Sequence, residues 1–298
     1  GVNLDDGVLT LASSGAIGTM GTIDFDGGVL RFTSANTTDY SDRFTTASST
    51  PFKIDTNSQD VTFADALVST GGSLTKLGAG VLTLSGANSY DGATSVSDGT
   101  LTVSGTLSND TAVTVSAGAV YNVDASDTIG SLAGSGVVAT STAGNKILTV
   151  GGSDATTTFD GVIEDGGGGL GTLGLVKDGN GTLTLAGDNT YSGGTTISDG
   201  TVQVGNGSSS GSLGTGAIEN NATLVFNRTD PLTIGAAISG SGTLTQAGTD
   251  TLTLTGNNTF AGGVNLNAGV LELGSSDAIG TTGTIDFDGG ALRYTSAN

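Results

Sequence analysis

Short alternations of apolar and polar residues recur along the whole 298-residue chain. Thr182-Leu183-Thr184-Leu185 is representative. A period of two sets Leu183 and Leu185 on one face of a strand and the threonines on the other. Gly187 then breaks the strand, Ile197 supplies the next inward position, and Asp199-Gly200 turns the chain before Val202 and Val204 repeat the alternation. The pattern predicts that Leu183, Leu185, Ile197, Val202 and Val204 are buried and that Thr184 is exposed. No run has the length and 3.6-residue period of an amphipathic helix.

The same pattern returns at fixed spacing. Leu183 precedes Val202 by 19 residues, as Leu82 precedes Leu101 and Leu252 precedes Leu271. Strand, turn and strand in about 20 residues is the signature of one coil of a parallel β-solenoid, in which each strand pairs with its equivalent one coil away. At ~4.8 Å per coil the chain would make about 15 coils and a rod of about 70 Å. A Greek-key sandwich is the structural rival, but tandem copies and scarce aromatic residues favour a thin-cored rod.

Two scales of repetition are present. A 30-residue unit occupies 74–103, 175–204 and 244–273, with Asn88, Asn189 and Asn258 at one shared position and Gly99, Gly200 and Gly269 at another. A longer unit is more exact: residues 1–36 return as 263–298, with eight of the 36 positions changed. The chain therefore reads as a single continuous solenoid segment, residues 1–298, of a tandem array with a period of 262. That reading predicts further repeats beyond Gly1 and Asn298, and fraying or end-to-end association of the terminal coils.

Composition narrows the function. The formal net charge is −20, with only 8 Lys and Arg. Phosphate backbones and anionic membrane surfaces need a basic partner, so nucleic acid is excluded. Much of the acidity is turn chemistry, since nine aspartates directly precede Gly. There is no Cys and no His, which removes disulfides, thiolate metal sites and the usual bases of nucleophilic catalysis.

Candidate chemistry is sparse. Gly207-Ser208-Ser209-Ser210-Gly211 has the spacing of a nucleophile elbow but no His to act as base, and is expected to be a flexible loop. Gly166 to Gly171 lacks the Lys-Ser/Thr of a phosphate loop and reads as a surface loop. Asp24 and Asp26, repeated as Asp286 and Asp288, would face solvent beside inward Ile23 and Phe25, too few for a calcium cage. Arg31 and Arg293 should lie outward and pair with a neighbouring Asp. Lys76 and Lys177 occupy equivalent motif positions and read as scaffold. The three asparagines should turn inward and bond backbone of their own or a stacked coil. No catalytic, cofactor-binding or metal-ligating residue is assigned, and no cofactor is expected.

The stretch LVKDGNGTLTLAGDNTYSGGTTISDGTVQV, residues 175–204, resembles the passenger-associated transport repeat of bacterial autotransporters. The resemblance rests on Lys177, Gly179, Gly181, Thr182 to Leu185, Gly187, Asn189, Thr190, Tyr191, Gly193, Thr196, Ile197 and Gly200. The first copy departs at Val81, Ser89 and Val96, and the third at Gln246, Asp250 and Phe260. The resemblance implies an all-β, right-handed parallel β-helix, exported to the extracellular space or the outer-membrane surface. Membrane contact would come only through a C-terminal translocator barrel that this sequence does not contain. The function it implies is a non-catalytic structural or adhesive stalk, filament- or matrix-forming. Its partners would be adjacent repeats, copies of itself, or host and matrix glycans. The rival reading is a glycan-active β-helix, a lyase or hydrolase of the tailspike kind, using Asp carboxylates; the unrepeated segments 37–73 and 104–174 offer it only scattered Asp.

Overall fold

The computed structural model describes residues 1–280 and 282–297. Thr281 and Asn298, both within the second copy of the long repeat, lie outside the described residues. The chain is a parallel β-solenoid. A 14-stranded sheet runs its length with one strand per coil, one coil fewer than the spacing implied. Thirteen intervals of ~4.8 Å make a rod of about 60 Å. Among the described residues there is no α-helix, only the single 3-10 turns Ser41–Arg43 and Gly167–Gly169.

The 19-residue spacing is the register itself. Leu82 pairs with Leu101, Leu183 with Val202, and Leu252 with Leu271, all in parallel. Leu183, Leu185, Ile197, Val202 and Val204 are all buried in one continuous core. In the first coils that core is aromatic: Phe25 meets Phe44 edge-on at 5.1 Å and Phe52 at 5.5 Å. Further along it is mainly aliphatic, with Tyr90, Tyr121, Phe159, Tyr191, Phe226 and Phe260 set singly among Leu, Val and Ile.

Thr184 departs from its expected exposure, with only 7% of its surface accessible. Its side chain still points outward, but Thr158 and Gln203 flank it on the two adjacent strands. In a stacked sheet an outward residue has neighbours about 4.8 Å away on both sides, and the longer one lies across it. Thr102 and Thr245 are covered in the same way, each accepting a 3.3 Å hydrogen bond from an asparagine of the next coil, Asn122 and Asn265.

The motif's corner is made by Gly, preceded by Asp in the first two copies and by Ala268 in the third. Gly99, Gly200 and Gly269 all have positive φ, and each sits against main-chain oxygens of the preceding coil where a Cβ would collide. Glycine is required there on both counts. Asp98 and Asp199 accept the following Gly N–H at 2.8 and 2.7 Å.

The coils have three faces. The 14-stranded sheet is the first. The second, next in chain order, carries the six-stranded sheet that includes Val81–Leu84 and the four-stranded sheet that includes Thr251–Leu254. The third carries the six-stranded sheet that includes Gly171–Lys177 and, at the N-terminal end, the pair Val2–Leu4 and Ile23–Phe25. The 30-residue motif spans two adjacent faces, but not always the same two. The copies at 74–103 and 244–273 run from the first face to the second, whereas 175–204 runs from the third to the first. The long repeat behaves likewise: 1–36 runs from third to first, and its copy at 263–298 from first to second.

Candidate functional site

The motif's polar residues turn inward and bond the main chain. Asn88 Oδ1 accepts the Leu67 N–H of the coil before at 2.9 Å. Its Nδ2 donates to Gly86 O of its own turn and to Thr106 O of the coil after, both at 2.9 Å. Asn189 does the same with Ile163, Gly187 and Ser212, and Asn258 with Ile238 and Ala278. One amide thus ties successive coils, as the sequence implied. Buried backbone groups need such partners wherever a turn leaves the ladder.

Lys76 and Lys177 are fully buried, which the sequence reading did not anticipate for charged scaffold residues. Lys76 Nζ donates to Leu77 O, Gly78 O and Asp98 O, at 3.2, 2.6 and 3.0 Å. Lys177 Nζ donates to Asp178 O and Gly179 O, both at 2.6 Å. Burial brings the Lys76 ammonium down to about 8, against the opposing pull of Asp98 and Asp55, and lowers Lys177 as well. In the third copy Gln246 takes the place, donating to Gly248 O at 3.0 Å and Asp250 O at 2.8 Å. The requirement is for a donor aimed at turn carbonyls, not for a charge.

A third pair is coupled. The buried Tyr90 hydroxyl meets Thr94 Oγ1 at 2.7 Å, and Tyr191 meets Thr195 at the same distance. Copy three has Phe260 and Val264 instead: both hydroxyls are lost together, so neither is left unpaired in the core. Burial pushes Tyr191 up to about 12.

One interior group breaks the pattern. Asp127 stands where the asparagine ladder would continue, and its carboxylate accepts the Leu107 N–H at 2.9 Å. It has no amide hydrogens for neighbouring carbonyls. Burial raises it to about 6, with the Leu107 and Thr128 backbone N–H groups opposing. The Tyr121 hydroxyl is buried nearby without a hydrogen-bond partner. No motif flagged Asp127; counting two coils of about 20 residues on from Asn88 would have reached its neighbourhood.

The sequence candidates are scattered over the surface rather than gathered. The Gly207 to Gly211 loop, expected to be free, is tied by Arg228, which donates to Gly211 O and, at 2.6 Å, to Ser209 O while pairing with Asp230 at 2.7 Å. Gly166 to Gly171 is a surface loop closed by Gly166 N–H to Gly171 O at 2.9 Å. Asp24 and Asp26 face outward beside buried Ile23 and Phe25. In the second copy Asp286 and Asp288 are exposed too, but Phe287 is also exposed. Arg31 pairs with Asp55 at 2.7 Å; Arg293 pairs with Glu272 at 3.1 Å rather than with an Asp. Among the described residues no three acidic side chains converge on a metal position.

Among the described residues, open grooves lie on the third face. One, of about 330 Å³, is floored by Gly174, Gly193 and Gly194 and edged by Thr196, Glu219 and Ser239. Its wall is the strand Gly171–Lys177, whose free edge is closed by Asp165: the carboxylate accepts Leu173 N–H at 2.8 Å and Ser192 N–H at 3.0 Å. Burial acts to raise Asp165, but the hydrogen bond from the Ser192 hydroxyl and those two N–H groups outweigh it and hold the carboxyl below its ordinary range.

Comparison with known proteins agrees with this construction. Residues 74–103, 175–204 and 244–273 match the Passenger-associated-transport-repeat family. The Adhesin BmaC autotransporter of Brucella suis biovar 1 (strain 1330) is 40% identical over 336 residues, which take in 97% of this chain and 9% of the adhesin. The chain therefore spans less than a tenth of that relative's length. No solved structure matches.

Proposed function

We propose that this solenoid, built on three autotransporter passenger-associated transport repeats, is a non-catalytic stalk segment of a long bacterial surface protein. One observation carries the reading. The polar side chains that the motif repeats (Asn, Lys or Gln, Tyr with Thr) all bond main chain or one another inside the rod. The asparagines tie coil to coil, and the others brace mainly the turns and interior of their own coil. A rod of this kind works by geometry, setting a distal part of the protein away from the cell or packing sideways into a matrix. The similarity to a protein named as an adhesin autotransporter supports placement at the cell surface and an adhesive role.

A glycan-cleaving β-helix is the competing class, and it makes a different demand. Purified chain should release no reducing ends and no unsaturated product from a panel of neutral and acidic polysaccharides. Turnover abolished by Asp24→Ala or Asp160→Ala would overturn the stalk reading.

A further inference from the structure

The serine loop that the stalk leaves unused begins beside a chemically weak step of the chain. The sequence contains two Asn-Gly steps in nearly the same spelling, Gly179-Asn180-Gly181-Thr182 and Gly205-Asn206-Gly207-Ser208. An asparagine followed by glycine is prone to lose its amide, because no Cβ screens the next main-chain nitrogen from the side-chain carbonyl carbon. The fold treats the two steps in opposite ways. Asn206 is exposed and lies in a bulge of the strand Thr201–Ser208. Val204 pairs with Phe226 and Ser208 with Arg228, so Gly205, Asn206 and Gly207 stand opposite Asn227 alone. The glycines on either side of Asn206 both have positive φ, 80° and 84°. A bulged residue between two glycines is released from the ladder register and can turn its side chain back along the chain. The Ser208 hydroxyl donates to Asn206 Oδ1 at 2.7 Å, and Ser210 Oγ stands 3.3 Å from Ser208 Oγ.

Asn180 has none of this freedom. Its N–H donates to Asp154 Oδ1 at 2.6 Å and its Nδ2 to Asp154 Oδ2 at 3.4 Å. Gly181 is buried, and a Cβ there would collide with main-chain oxygens of Asp154 and Ala155. Cyclisation at Asn180 must break the side-chain bond and develop negative charge beside a carboxylate. We propose that Asn206-Gly207 is a self-modifying site, at which the folded rod promotes deamidation of its own asparagine with the Ser208 hydroxyl as the electrophilic donor. The Gly207 nitrogen gives its proton to hydroxide and bonds to Asn206 Cγ. Negative charge develops on Oδ1, where the Ser208 hydrogen bond is already aimed. The Cγ–Nδ2 bond then breaks, and the amide nitrogen takes a proton from water and leaves as ammonia, which regenerates the hydroxide. Water opens the resulting five-membered imide at either carbonyl, giving aspartate or isoaspartate at 206. Each event adds one negative charge to a chain already at −20, and isoaspartate inserts a methylene into the main chain at the bulge. Arg228 holds the loop beyond through Ser209 O and Gly211 O, so the change stays local and the coils persist. The inference rests on the bulge and its hydroxyl, and does not depend on the stalk reading.

The test is incubation of the full folded chain in heavy-oxygen water at mildly alkaline pH, followed by peptide mapping with fragmentation that separates aspartate from isoaspartate. Residue 206 should take up heavy oxygen and appear as both products, faster than residue 180 by about tenfold or more, since Asn180 must first give up a hydrogen bond to a charged partner. Ser208→Ala should slow the reaction at 206 by about threefold to tenfold, the effect of one hydrogen bond to a developing charge, and Ser208→Thr should restore it. Far-UV circular dichroism checks that both variants keep the rod. In urea, where the bulge and the Asp154 clamp are gone, the two steps should react at like rates and Ser208→Ala should make no difference. Residue 206 left intact in the folded chain while it reacts in urea, equal rates at 180 and 206 in the folded chain, or an unchanged folded-state rate in Ser208→Ala would each overturn the proposal.

Discussion

Replacing Asp127 by Asn should stabilise this rod at neutral pH and leave it unchanged in acid. The carboxylate occupies an asparagine position of the inter-coil ladder and is raised from 3.8 to about 6 by burial. A folded state that raises a carboxyl pKa favours the protonated form. The stability associated with that proton is complete below the unfolded value near 4 and is lost as pH climbs through 6. A shift of about 2 units corresponds to about 3 kcal/mol. The carboxylate lies at the margin of the interior, so solvent screening trims this to about 1–2 kcal/mol. Asparagine keeps the acceptor for Leu107 N–H, cannot ionise, and restores the amide donors that Asn88 and Asn189 use. Because a solenoid need not unfold in one step, the informative assay is local. Hydrogen exchange of residues 100–130, compared between Asp127→Asn and the unmodified chain at each pH, should be slower in the variant by about 5–30-fold at pH 7.5. The difference should vanish near pH 4. Equal exchange at pH 7.5, or a difference that persists undiminished at pH 4, would refute the argument.

Three further substitutions probe the rest of the interior. Leu185→Asp buries an unpaired carboxylate and should cost several kcal/mol in thermal unfolding, whereas Thr184→Lys, on the outer face but covered by Gln203, should cost about 1 kcal/mol or less; equal losses would sink the inward–outward assignment. Lys76→Gln should be tolerated, as Gln246 is, while Lys76→Met strands turn carbonyls and should lose about 1–3 kcal/mol in urea titration. Tyr191→Phe and Thr195→Val should each destabilise alone, yet the double variant should lose less than their sum; strict additivity in the cycle would deny the coupling that Phe260 and Val264 suggest.

The coil and its register were legible in the sequence because both rest on local rules. Leu183 and Val202 could be matched by counting, and the glycine corners fixed where each count restarts. The asparagine ladder was legible for the same reason, since one position recurs in three copies. What escaped depends on the neighbouring coil. Thr184 is covered by Gln203, which no local pattern marks as a lid. Asp127 lies outside the motif, in coils that share its architecture but not its spelling. The buried lysines were placed as scaffold from their recurrence, but their direction was not, because a charged side chain is expected outside unless one asks which turn carbonyls lack a donor.

The change of face between 1–36 and 263–298 has a consequence for display. An offset of 262 residues advances the long repeat by a whole number of coils plus one face. In any array that repeats this offset, each unit is therefore turned by one face relative to the unit before it, and the original orientation returns only at the fourth. A patch that occurs once per unit, such as the glycine-floored groove of the third face, would trace a spiral staircase around the rod. Whatever met that patch from one side would find it at every third landing. A partner that wrapped the rod would find it at each.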